Sequence, residues 1–463
     1  MGLKSTIAKP FAQFIARSVH NNNRLALQHQ EQLRAQLVRS AAKTQFGQDH
    51  HFSQIDSHQA LTQAIPIRDY EQLKPYIEKV KNGNENILWP GKPVYFAKTS
   101  GTTSGVKYIP ISRESIPFHI QAARNALLCY IAETGNSQFT DGKMIFLSGS
   151  PELETIHGIY TGRLSGIVNH HVPAYLTKNR MPSYETNCIE DWETKLDRIV
   201  DETIHQDMRL ISGIPPWMQM YFDRLVERSG KSIANLFPNL SVIAHGGVNF
   251  EPYKAKLFDT IGKKIDTIET FPASEGFFAY QDSQTEPGLL LLLNSGIFYE
   301  FIKTDEFFTD NPKRHTIGEV ELGVNYALII STNAGLWAYN IGDTVMFVSK
   351  KPYRLVVTGR IKHFISAFGE HVIGKEVETA LQQATAGSDV RINEFTVAPQ
   401  ISPQNGLPYH EWLIEFANAP ADMEAFRLEL DTQLRKLEER LGYLRELGDR
   451  SAAIFKSIDE QGK

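Results

Sequence analysis

The sequence has few cysteines, no long hydrophobic run and no strong excess of one charge. Cys129 and Cys188 are the only cysteines in 463 residues, which excludes a disulfide framework and predicts a reducing compartment, the cytoplasm. No run of about 18 apolar residues occurs, and the first residues lack the hydrophobic core of a signal peptide, so we expect no membrane association. The formal net charge of −5 likewise argues against nucleic-acid and membrane-surface partners.

Several catalytic motifs are also absent. The chain has no Cys-x-x-Cys or His-Glu-x-x-His pair for a metal, no Gly-x-Ser-x-Gly elbow for a serine hydrolase, and no Gly-x-Gly-x-x-Gly fingerprint for a dinucleotide. Spacing excludes a P-loop, because three residues separate Gly101 from Gly105 and Val106 precedes Lys107. A nucleotide site in this chain must therefore use another kind of loop.

The chain does contain a ten-residue segment, 98–107, that is rich in hydroxyl groups, glycine and lysine. Glycine lets the backbone turn its N–H groups toward an anion, hydroxyls donate hydrogen bonds to phosphate oxygens, and lysine supplies positive charge. The segment predicts a phosphate-binding loop, with a flexible surface loop as the alternative. The residues of interest are Lys98, Thr99, Ser100, Gly101, Thr102, Thr103, Ser104, Gly105 and Lys107.

The rest of the chain predicts an α/β fold. Residues before 90 are mostly helical in pattern, and residues 208–269 alternate between strand and helix, which indicates a mainly parallel sheet covered by helices. Ligands of such sheets bind at the carboxyl ends of the strands. From residue 288, short strands with few helices between them predict a β-rich subdomain. A charged helix over 422–446 is expected to dock on its own domain, with coiled-coil pairing as the alternative.

Three later motifs carry candidate ligand groups. Glu275 follows a predicted strand within 269–276, where a carboxylate can hold Mg²⁺. Asp343 follows a glycine turn within 336–343, where it can accept both hydroxyls of a ribose. Arg360 lies in a basic cluster at 358–363. Each also has an ordinary structural alternative, as a helix cap, a hairpin residue or a surface charge.

The order of these motifs resembles that of a known superfamily. Thr-Ser-Gly-Thr-Thr, an aromatic segment ending in Glu, Tyr-x-x-Gly-Asp and Gly-Arg follow one another in adenylate-forming enzymes of the acyl-CoA synthetase and luciferase superfamily. Within that superfamily, about residues 30–400 of this chain are similar to the auxin-responsive acyl acid–amido synthetase family, especially its bacterial-type members. The segments that carry the likeness are 212–218, 236–240, 245–253, 271–278, 295–301 and 364–371.

The resemblance implies a domain organisation and an activity. It implies a large N-terminal domain over 1–357 that contains the β-rich subdomain at 288–357, a hinge at 358–362, and a small α/β C-terminal domain over 363–463. Enzymes of this kind bind ATP and Mg²⁺, adenylate a carboxylic acid with release of pyrophosphate, and transfer the acyl group to an amino acid. We therefore expect a monomeric cytoplasmic ligase whose partners are small molecules and in which positioning and charge stabilisation dominate catalysis.

The resemblance also implies roles for individual residues. Glu275 would hold the metal and Asp343 the ribose, while Arg360 and His371 would meet the nucleotide where the small domain closes. Trp217 and Met218 either line the acyl pocket or pack in the core. The residues expected on the phosphates are Ser100, Gly101, Thr102, Thr103 and Ser104, and those expected beside the adenine are Gly246, Gly247, Phe271, Ala273 and Ser274.

Two departures from the family pattern leave alternatives open. Many relatives have an arginine next to the tyrosine of Tyr-x-x-Gly-Asp, whereas Ala338 and Asn340 flank that tyrosine here. The tail is shorter than the family's lysine-containing segment, so the candidate catalytic lysine is Lys463, or Lys456 in its place. Besides amide synthesis, the sequence is compatible with transfer of the acyl group to coenzyme A, and with a nucleotide-binding protein of this fold whose turnover is lost or reduced.

Overall fold

The structure, a computed structural model, describes residues 3–101, 105–171, 178–361, 374–400, 409–440 and 453–457. None of the helices in these ranges combines the length and the apolar composition that crossing a bilayer requires. Helices dominate the first 81 residues, and strands and helices alternate afterwards, as the sequence predicts for an α/β protein.

Local sequence signals explain where the helices begin and end. The Asp69 carboxylate accepts a hydrogen bond from the Gln72 N–H (3.1 Å), and the Gln72 side chain accepts one from the Asp69 N–H (2.9 Å), which fixes the start of the helix that follows. The helices are α1 (Leu3–Arg24), α2 (Ala26–Ala41), α3 (Gln45–Asp49), α4 (His58–Ala64), α5 (Tyr70–Lys81), α6 (Ile116–Thr134), α7 (Leu164–Asn169), α8 (Tyr184–Asn187), α9 (Trp192–Thr203), α10 (Pro215–Ser229), α11 (Ile233–Leu236), α12 (Glu251–Ile261), α13 (Gly374–Thr385) and α14 (Met423–Arg440), with 3₁₀ turns at Phe52–Gln54 and Gln138–Asp141.

The described strands form three sheets. The first has the order β2-β1-β5-β4, the second has eleven strands in the order β12-β13-β14-β15-β11-β10-β9-β8-β7-β3-β6, and the third is β16-β17-β18. The strands are β1 (Tyr95–Gly101), β2 (Gly105–Ile111), β3 (Lys143–Phe146), β4 (Glu154–Ile156), β5 (Ile159–Gly162), β6 (Arg180–Met181), β7 (Met208–Gly213), β8 (Val242–Gly246), β9 (Asp266–Ala273), β10 (Gly276–Tyr280), β11 (Leu289–Leu291), β12 (Ile297–Lys303), β13 (Asn325–Thr332), β14 (Tyr339–Lys350), β15 (Tyr353–Arg360), β16 (Arg391–Gln400), β17 (Tyr409–Asn418) and β18 (Ala453–Ser457).

The eleven-stranded sheet has a parallel half and an antiparallel half. Strands β6, β3, β7, β8 and β9 pair in parallel, which confirms the sheet predicted from the alternation of strand and helix. Strands β10 to β15 pair antiparallel and include the β-rich region predicted from residue 288. That region does not form a sheet of its own, because β10 continues directly from β9 and joins the two halves.

Apolar clusters cover both the antiparallel and the parallel half of the eleven-stranded sheet. The strand β12 is buried on both faces, as expected for a strand covered by helices on one side and a second layer on the other. A large apolar cluster beneath the antiparallel half includes Phe46, Trp337 and Phe347. Two more clusters, one with Met218 and Phe222 and another containing the α6 alanines, cover opposite faces of the parallel half.

The segment 98–107 differs from the predicted loop. Its two arms are strands, β1 and β2, paired antiparallel in register up to Gly101 opposite Gly105. Thr102, Thr103 and Ser104 lie outside the described residues. The pairing sets Lys98 opposite Tyr108 and Ser100 opposite Val106. Residues 98–101 do not alternate between apolar and polar, so the periodicity of the sequence did not predict a strand there.

The predicted tail helix is shorter than expected and docks locally. Helix α14 ends at Arg440, and its Leu430 and Leu434 are buried in a cluster with Trp412 of β17. This packing favours the helix docked on its own domain over the coiled-coil alternative. The remaining leucines of the repeat, Leu441 and Leu444, lie outside the described residues.

Candidate active site

The predicted ribose residue and the predicted hinge arginine lie opposite each other on neighbouring strands. Asp343 of β14 pairs in register with Arg360 of β15. The Arg360 Nη1 lies 3.2 Å from Asp343 Oδ1, and Arg360 Nη2 donates a hydrogen bond to the Ile341 carbonyl at 3.0 Å. Strand pairing therefore joins two motifs that stand seventeen positions apart in the sequence into one ion-paired group.

Gly342 allows this approach. Its φ of +89° lies in the left-handed region, and a Cβ built at this position would lie 2.7 Å from Arg360 Nη2. Asn340 shapes the same turn, because its side-chain oxygen accepts a hydrogen bond from the Gly342 N–H at 2.9 Å. Any side chain at position 342 would both strain the backbone and displace the guanidinium.

Glu275, the predicted metal ligand, lies in the turn between β9 and β10 and shares this neighbourhood. Burial is the largest cause of the raised pKa of its carboxyl; the charge of Asp343 raises that pKa further, while Lys107 and Arg360 lower it. Burial also raises the pKa of Asp343 to about 6, against the opposing effect of Arg360. A cation bound beside these two carboxylates would stabilise both in their charged forms.

Tyr339 links the two carboxylate positions and was not assigned a role by sequence reasoning. Its hydroxyl donates to Glu275 Oε1 at 3.4 Å, a long hydrogen bond that leaves capacity for other donors or a metal on that carboxylate. The ring is buried and belongs to the apolar cluster beneath the antiparallel half. The spacing of Tyr-x-x-Gly-Asp, which places Tyr339 and Asp343 on one strand, was the signal that could have identified it.

The flanking residues Ala338 and Asn340 have structural roles here. Ala338 is fully buried with φ of +44°, so a longer side chain at this position would clash with the core. The backbone of Arg68 pairs with this segment: its N–H donates to the Ala338 carbonyl (3.0 Å), and its carbonyl accepts from the Asn340 N–H (2.8 Å). The Arg68 guanidinium turns to His50 Nε2 (2.8 Å) and to the Phe46 ring. Tertiary pairing thus brings an arginine beside Tyr339, although its charge points away from Glu275.

The predicted adenine residues lie at the carboxyl ends of the parallel strands β8 and β9. A Cβ on Gly246 would clash with the Thr270 carbonyl oxygen, and Gly247 has φ of +83°. Both glycines are therefore required for the chain to leave β8 so close to β9. Ala273 and Ser274 are partly exposed at the end of β9, whereas the Phe271 ring is buried and packs edge-on against Phe278 (5.0 Å).

The two lysines of the β1–β2 hairpin differ in their partners. Lys98 Nζ lies 2.9 Å from Glu154 Oε1 on β4, so its charge is already paired. Lys107 stands on the other strand, above the Tyr70 ring at 5.6 Å, and acts electrostatically on Glu275. Tyr70 also accepts a hydrogen bond from the Tyr108 N–H at 2.9 Å, which fixes the hairpin against α5. Of the two hairpin lysines, Lys107 is therefore the one whose charge acts on Glu275.

Several predicted residues lie outside the described part of the chain or belong to the core. Of the phosphate residues, the backbones of Ser100 and Gly101 end β1, and the three that follow them are not described. Hinge residues 358–361 are described, whereas residue 362, His371 and Lys463 are not. Met218 is fully buried in the core, while Trp217 packs against Trp192 with a ring separation of 4.6 Å.

Contacts between α12 and the C-terminal region lie next to the glycine turn. The Asn249 amide, two residues beyond Gly247, donates to the Glu378 carboxylate on α13. Tyr253 of α12 has a pKa raised to about 12, first by burial and then by the charge and hydrogen bond of Glu394 on β16. The C-terminal region therefore contacts α12 and the segment after β8, beside the predicted adenine residues Gly246 and Gly247.

The residues present fit a nucleotide with a divalent cation. Mg²⁺ is commonly held by one or two carboxylates together with substrate phosphates, and Glu275 offers such a ligand, with the charges of Asp343, Lys107 and Arg360 acting on it. No cluster of three or more His, Cys, Asp or Glu side chains suited to a metal occurs among the described residues, so a site made of protein ligands alone is not supported there. The chemistry favoured is polyphosphate binding with a shared metal.

Comparison with known families agrees with this geometry. Residues 16–180 and 156–265 match the model of the GH3 family N-terminal domain, and residues 290–360 match that of the GH3 family central domain. The N-terminal matches alone span more than half of the chain. They include β8 and its glycine turn, and the central-domain match includes Tyr339, Asp343 and Arg360.

Individual relatives are distant. The chain is 22% identical over 351 residues to the jasmonoyl–L-amino acid synthetase JAR4 of Nicotiana attenuata, which covers 61% of this chain and 59% of that protein. It thus spans less than two thirds of that relative. The solved structure of the GH3.15 acyl acid amido synthetase superimposes with a TM-score of 0.75 and 13% identity, covering 94% of this chain and 86% of that one, a likeness of fold.

A short match of another kind also occurs. A stretch of 33 residues, 7% of this chain, is 70% identical to 4% of the transcriptional accessory protein Tex of Neisseria gonorrhoeae. A similarity of that length carries no information about the activity of the whole chain.

Proposed function

This chain belongs to the GH3 family, and from that premise we propose that it is an ATP-dependent acyl acid–amido synthetase. It adenylates a carboxylic acid and transfers the acyl group to the amine of an amino acid. The observation that carries the proposal is the convergence of Glu275, Tyr339, Asp343 and Arg360 from two neighbouring strands and a turn. The raised pKa values show that the two charged carboxylates are disfavoured in the protein by itself. A bound Mg²⁺ ion and nucleotide would supply the partners that favour their charged forms.

Glu275 is proposed as the ligand of Mg²⁺ and Asp343 as the acceptor for the ribose hydroxyls. The metal, when bound, would neutralise charge on the phosphates during displacement of pyrophosphate. Asp343 is oriented by its contact with Arg360, and its remaining lone pairs can accept two hydroxyl donors. Both roles use charged carboxylates, whose raised pKa values a bound cation would lower again.

The adenine is proposed to lie against the Gly246–Gly247 turn, with Phe271, Ala273 and Ser274 beside it. The two glycines keep this edge free of Cβ atoms, and the Phe271 ring supports the wall from behind. The phosphates are proposed to lie on Ser100, Gly101, Thr102, Thr103 and Ser104 at the tip of the hairpin, with Lys107 supplying charge. His371 and Lys463 remain proposals for the groups that close over the reacting atoms.

The reaction balances without a redox partner. An oxygen of the acid bonds to the α-phosphorus while the α–β phosphoanhydride breaks, and pyrophosphate leaves with the bonding electrons. The uncharged amine of the second substrate then attacks the activated carbonyl, the bond to AMP breaks, and the amine proton passes to solvent or a base. The protein's part is to bind and orient both substrates and to exclude water. We also propose that the enzyme acts as a monomer in the cytoplasm.

The decisive experiment crosses a panel of carboxylic acids with the twenty amino acids. Pyrophosphate release and product mass are measured for the purified full-length chain with ATP and Mg²⁺. We expect acid-dependent pyrophosphate release, and an amide when a suitable amino acid is present. Coenzyme A replaces the amino acid in a parallel series, and a thioester there instead of an amide would favour acyl-CoA ligation.

A second measurement addresses lost turnover. Isothermal titration reports ATP binding, and exchange of labelled pyrophosphate into ATP reports adenylation even when the amine is unknown. ATP binding without acid-dependent exchange across the whole panel would contradict the synthetase and identify a nucleotide-binding protein. The exposed Glu286→Gln variant serves as a control for changes of carboxylate that lie outside the site.

A further inference from the structure

Helix α1 has two apolar faces, and within the described part of the chain only the inner one packs on the rest of the protein. The inner face is made of small side chains, with Ala12 fully buried and Ala16 nearly so, packed on α6 and the sheet. Polar side chains fasten the same face: the Asn23 amide donates to the Leu291 carbonyl (3.0 Å), and its oxygen accepts from the Tyr353 N–H (3.0 Å). The helix is therefore fixed to the body of the protein by its inner side.

The outer face of α1 presents bulky apolar side chains to solvent. Ile7 is 60% exposed, Phe11 46% and Phe14 69%, and the spacing of four and three residues places them in one stripe. Leu25, one residue past the end of the helix, is 50% exposed and continues the same line. Single exposed apolar residues are ordinary, but a stripe opposite a buried face marks an interaction surface.

Basic residues accompany this stripe, and acidic residues are missing from the segment. Lys4, Arg17 and Arg24 are exposed on α1, whereas Lys9 is partly buried in line with Ser5 and Ala12 on the inner face, and the sequence contains no Asp or Glu before Glu31. The whole chain, in contrast, has a net charge of −5. The nearby Asp141 carboxylate accepts a hydrogen bond from the Ser5 N–H, on the inner side of the helix. The outer face therefore combines aromatic bulk with positive charge.

We propose that α1 docks on an anionic lipid surface, with Ile7, Phe11 and Phe14 inserted among the acyl chains and the basic residues at the headgroups. Helices of this composition lie in the interface without spanning it. A second copy of this chain is a poorer occupant, because a face-to-face pair would bring Lys4 and Arg17 of both copies together across an apolar contact. The charge pattern is what selects an anionic partner.

The geometry permits this docking without unfolding. Lys4, Arg17 and Arg24 are exposed like the stripe they flank, and the inner face of α1 keeps its contacts with α6. Binding through one short helix is weak and depends on salt, since each Lys or Arg near the surface contributes about fivefold to partitioning at low ionic strength. The enzyme would thus attach reversibly to the cytoplasmic side of a membrane, in the compartment where we propose that it acts.

The test is flotation of the full-length chain with two kinds of vesicle, phosphatidylcholine alone and phosphatidylcholine with phosphatidylglycerol. We expect the protein to float with the anionic vesicles at low salt and to be released by high salt. The double variant Phe11→Ser/Phe14→Ser should lower partitioning at least about tenfold, and Arg17→Gln about fivefold. Phe308→Ser is the matched control, because Phe308 is also 69% exposed but lies in the turn region after β12 and not on α1.

Two results would overturn the proposal. One is equal flotation of the parent chain and the Phe11/Phe14 variant, with unchanged thermal midpoints showing that both are folded. The other is failure to bind anionic vesicles together with concentration-dependent dimers in sedimentation that the same variant abolishes, which would assign the stripe to a second copy. Adenylation activity is measured on the same samples, so that loss of the proposed function and loss of lipid binding are read separately.

Discussion

The eleven-stranded sheet and the turns at its edges hold two kinds of carboxylate, one buried and one partly buried, and their partners differ. Glu300 is fully buried and is bound by Arg314 through Nε (2.9 Å) and Nη2 (2.5 Å), and by His58 Nε2 (2.8 Å). Burial would raise the pKa of Glu300, but the charge of Arg314 and the hydrogen bonds outweigh it, so that pKa is lowered. Asp282 has similar surroundings, with Arg354 and His20 as partners.

Glu275 and Asp343 stand in the same sheet with far fewer partners. Glu275 receives a long hydrogen bond from Tyr339, and Asp343 has one contact with the half-exposed Arg360 at 3.2 Å. Their pKa values are raised, where those of Glu300 and Asp282 are lowered. The difference separates carboxylates that hold the fold together from carboxylates whose remaining lone pairs are available to a ligand.

The largest effect should come from breaking the fully partnered group. Arg314→Met leaves Glu300 charged and buried without its main partner, so we expect a loss of about 3–5 kcal/mol in the free energy of unfolding. Urea denaturation measures it. Arg224→Met is the control, because Arg224 binds carboxylates at the surface, where such pairs contribute about 1 kcal/mol or less. Equal losses in the two variants would remove the distinction between the groups.

Substitution of Glu275 should have the opposite effect, with a large loss of activity and no loss of stability. Glu275→Gln keeps the shape but removes the charge that would hold Mg²⁺, so acid-dependent pyrophosphate exchange should fall about 100-fold. Stability should not fall, because a neutral side chain suits this partly buried position better than a carboxylate. A folded variant with unchanged exchange and unchanged dependence on Mg²⁺ concentration would contradict the assignment of the metal to this residue.

The pH dependence of stability should separate Asp343 from Glu300 by sign. A raised pKa near 6 means that folded protein retains a proton on Asp343 that unfolded protein has lost, so its contribution to stability falls as pH rises from about 4 to about 6. Asp343→Asn should therefore raise the free energy of unfolding at pH 7 by about 1–2 kcal/mol while lowering adenylation.

The lowered pKa of Glu300 works in the other direction. Its contribution is present at neutral pH and is lost as pH falls below the ordinary range of a glutamate. Thermal midpoints of the parent chain and of the Asp343→Asn variant, measured from about pH 2 to about pH 8, check both signs, because the acidic end covers the loss of the Glu300 contribution. If the curve of that variant ran parallel to the curve of the parent, the proton affinity of Asp343 would be unchanged on folding.

The smallest expected effect comes from the two lysines of the β1–β2 hairpin, of which Lys98 is ion-paired with Glu154. Lys107→Ala should weaken ATP binding about tenfold, because the charge of Lys107 acts on Glu275 and no acidic partner already pairs it among the described residues. Lys98→Ala should change it less than about threefold, since Lys98 is already paired with Glu154. Isothermal titration measures both, and a stronger effect of Lys98 would reverse the order of the two lysines.

The sequence predicted the parallel half of the sheet well because local patterns determine it. Predicted strands at 208–213 and 240–247 correspond to β7 and β8, and a helix opening at Pro215 is α10, which is followed by Gly230 in a left-handed conformation. The joining of the β-rich region to the same sheet was not predictable, since it depends on which strands pair. The hairpin β1–β2 was missed because its hydroxyl-rich composition hides the alternation of faces.

The candidate site was predicted as residues and not as an arrangement. Glu275, Asp343 and Arg360 follow from motif order, but the contact of Tyr339 with Glu275 and the direction of Lys107 depend on how strands meet. The burial of the Phe271 ring also depends on packing. Net charge alone does not describe the chain, because an average of −5 conceals a basic, acid-free first helix.

The register of the β1–β2 hairpin has a thermodynamic consequence. Seven of the ten residues from 98 to 107 are held in a strand ladder before any ligand arrives. Fixing the backbone of one free residue costs about 1–2 kcal/mol, so a fully flexible segment of this length would lose much of its affinity for an anion to ordering. Because the strands pair up to Gly101 and Gly105, this conformational entropy is lost when the domain folds. Ligand binding then does not have to order these residues, and the affinity is higher for that reason.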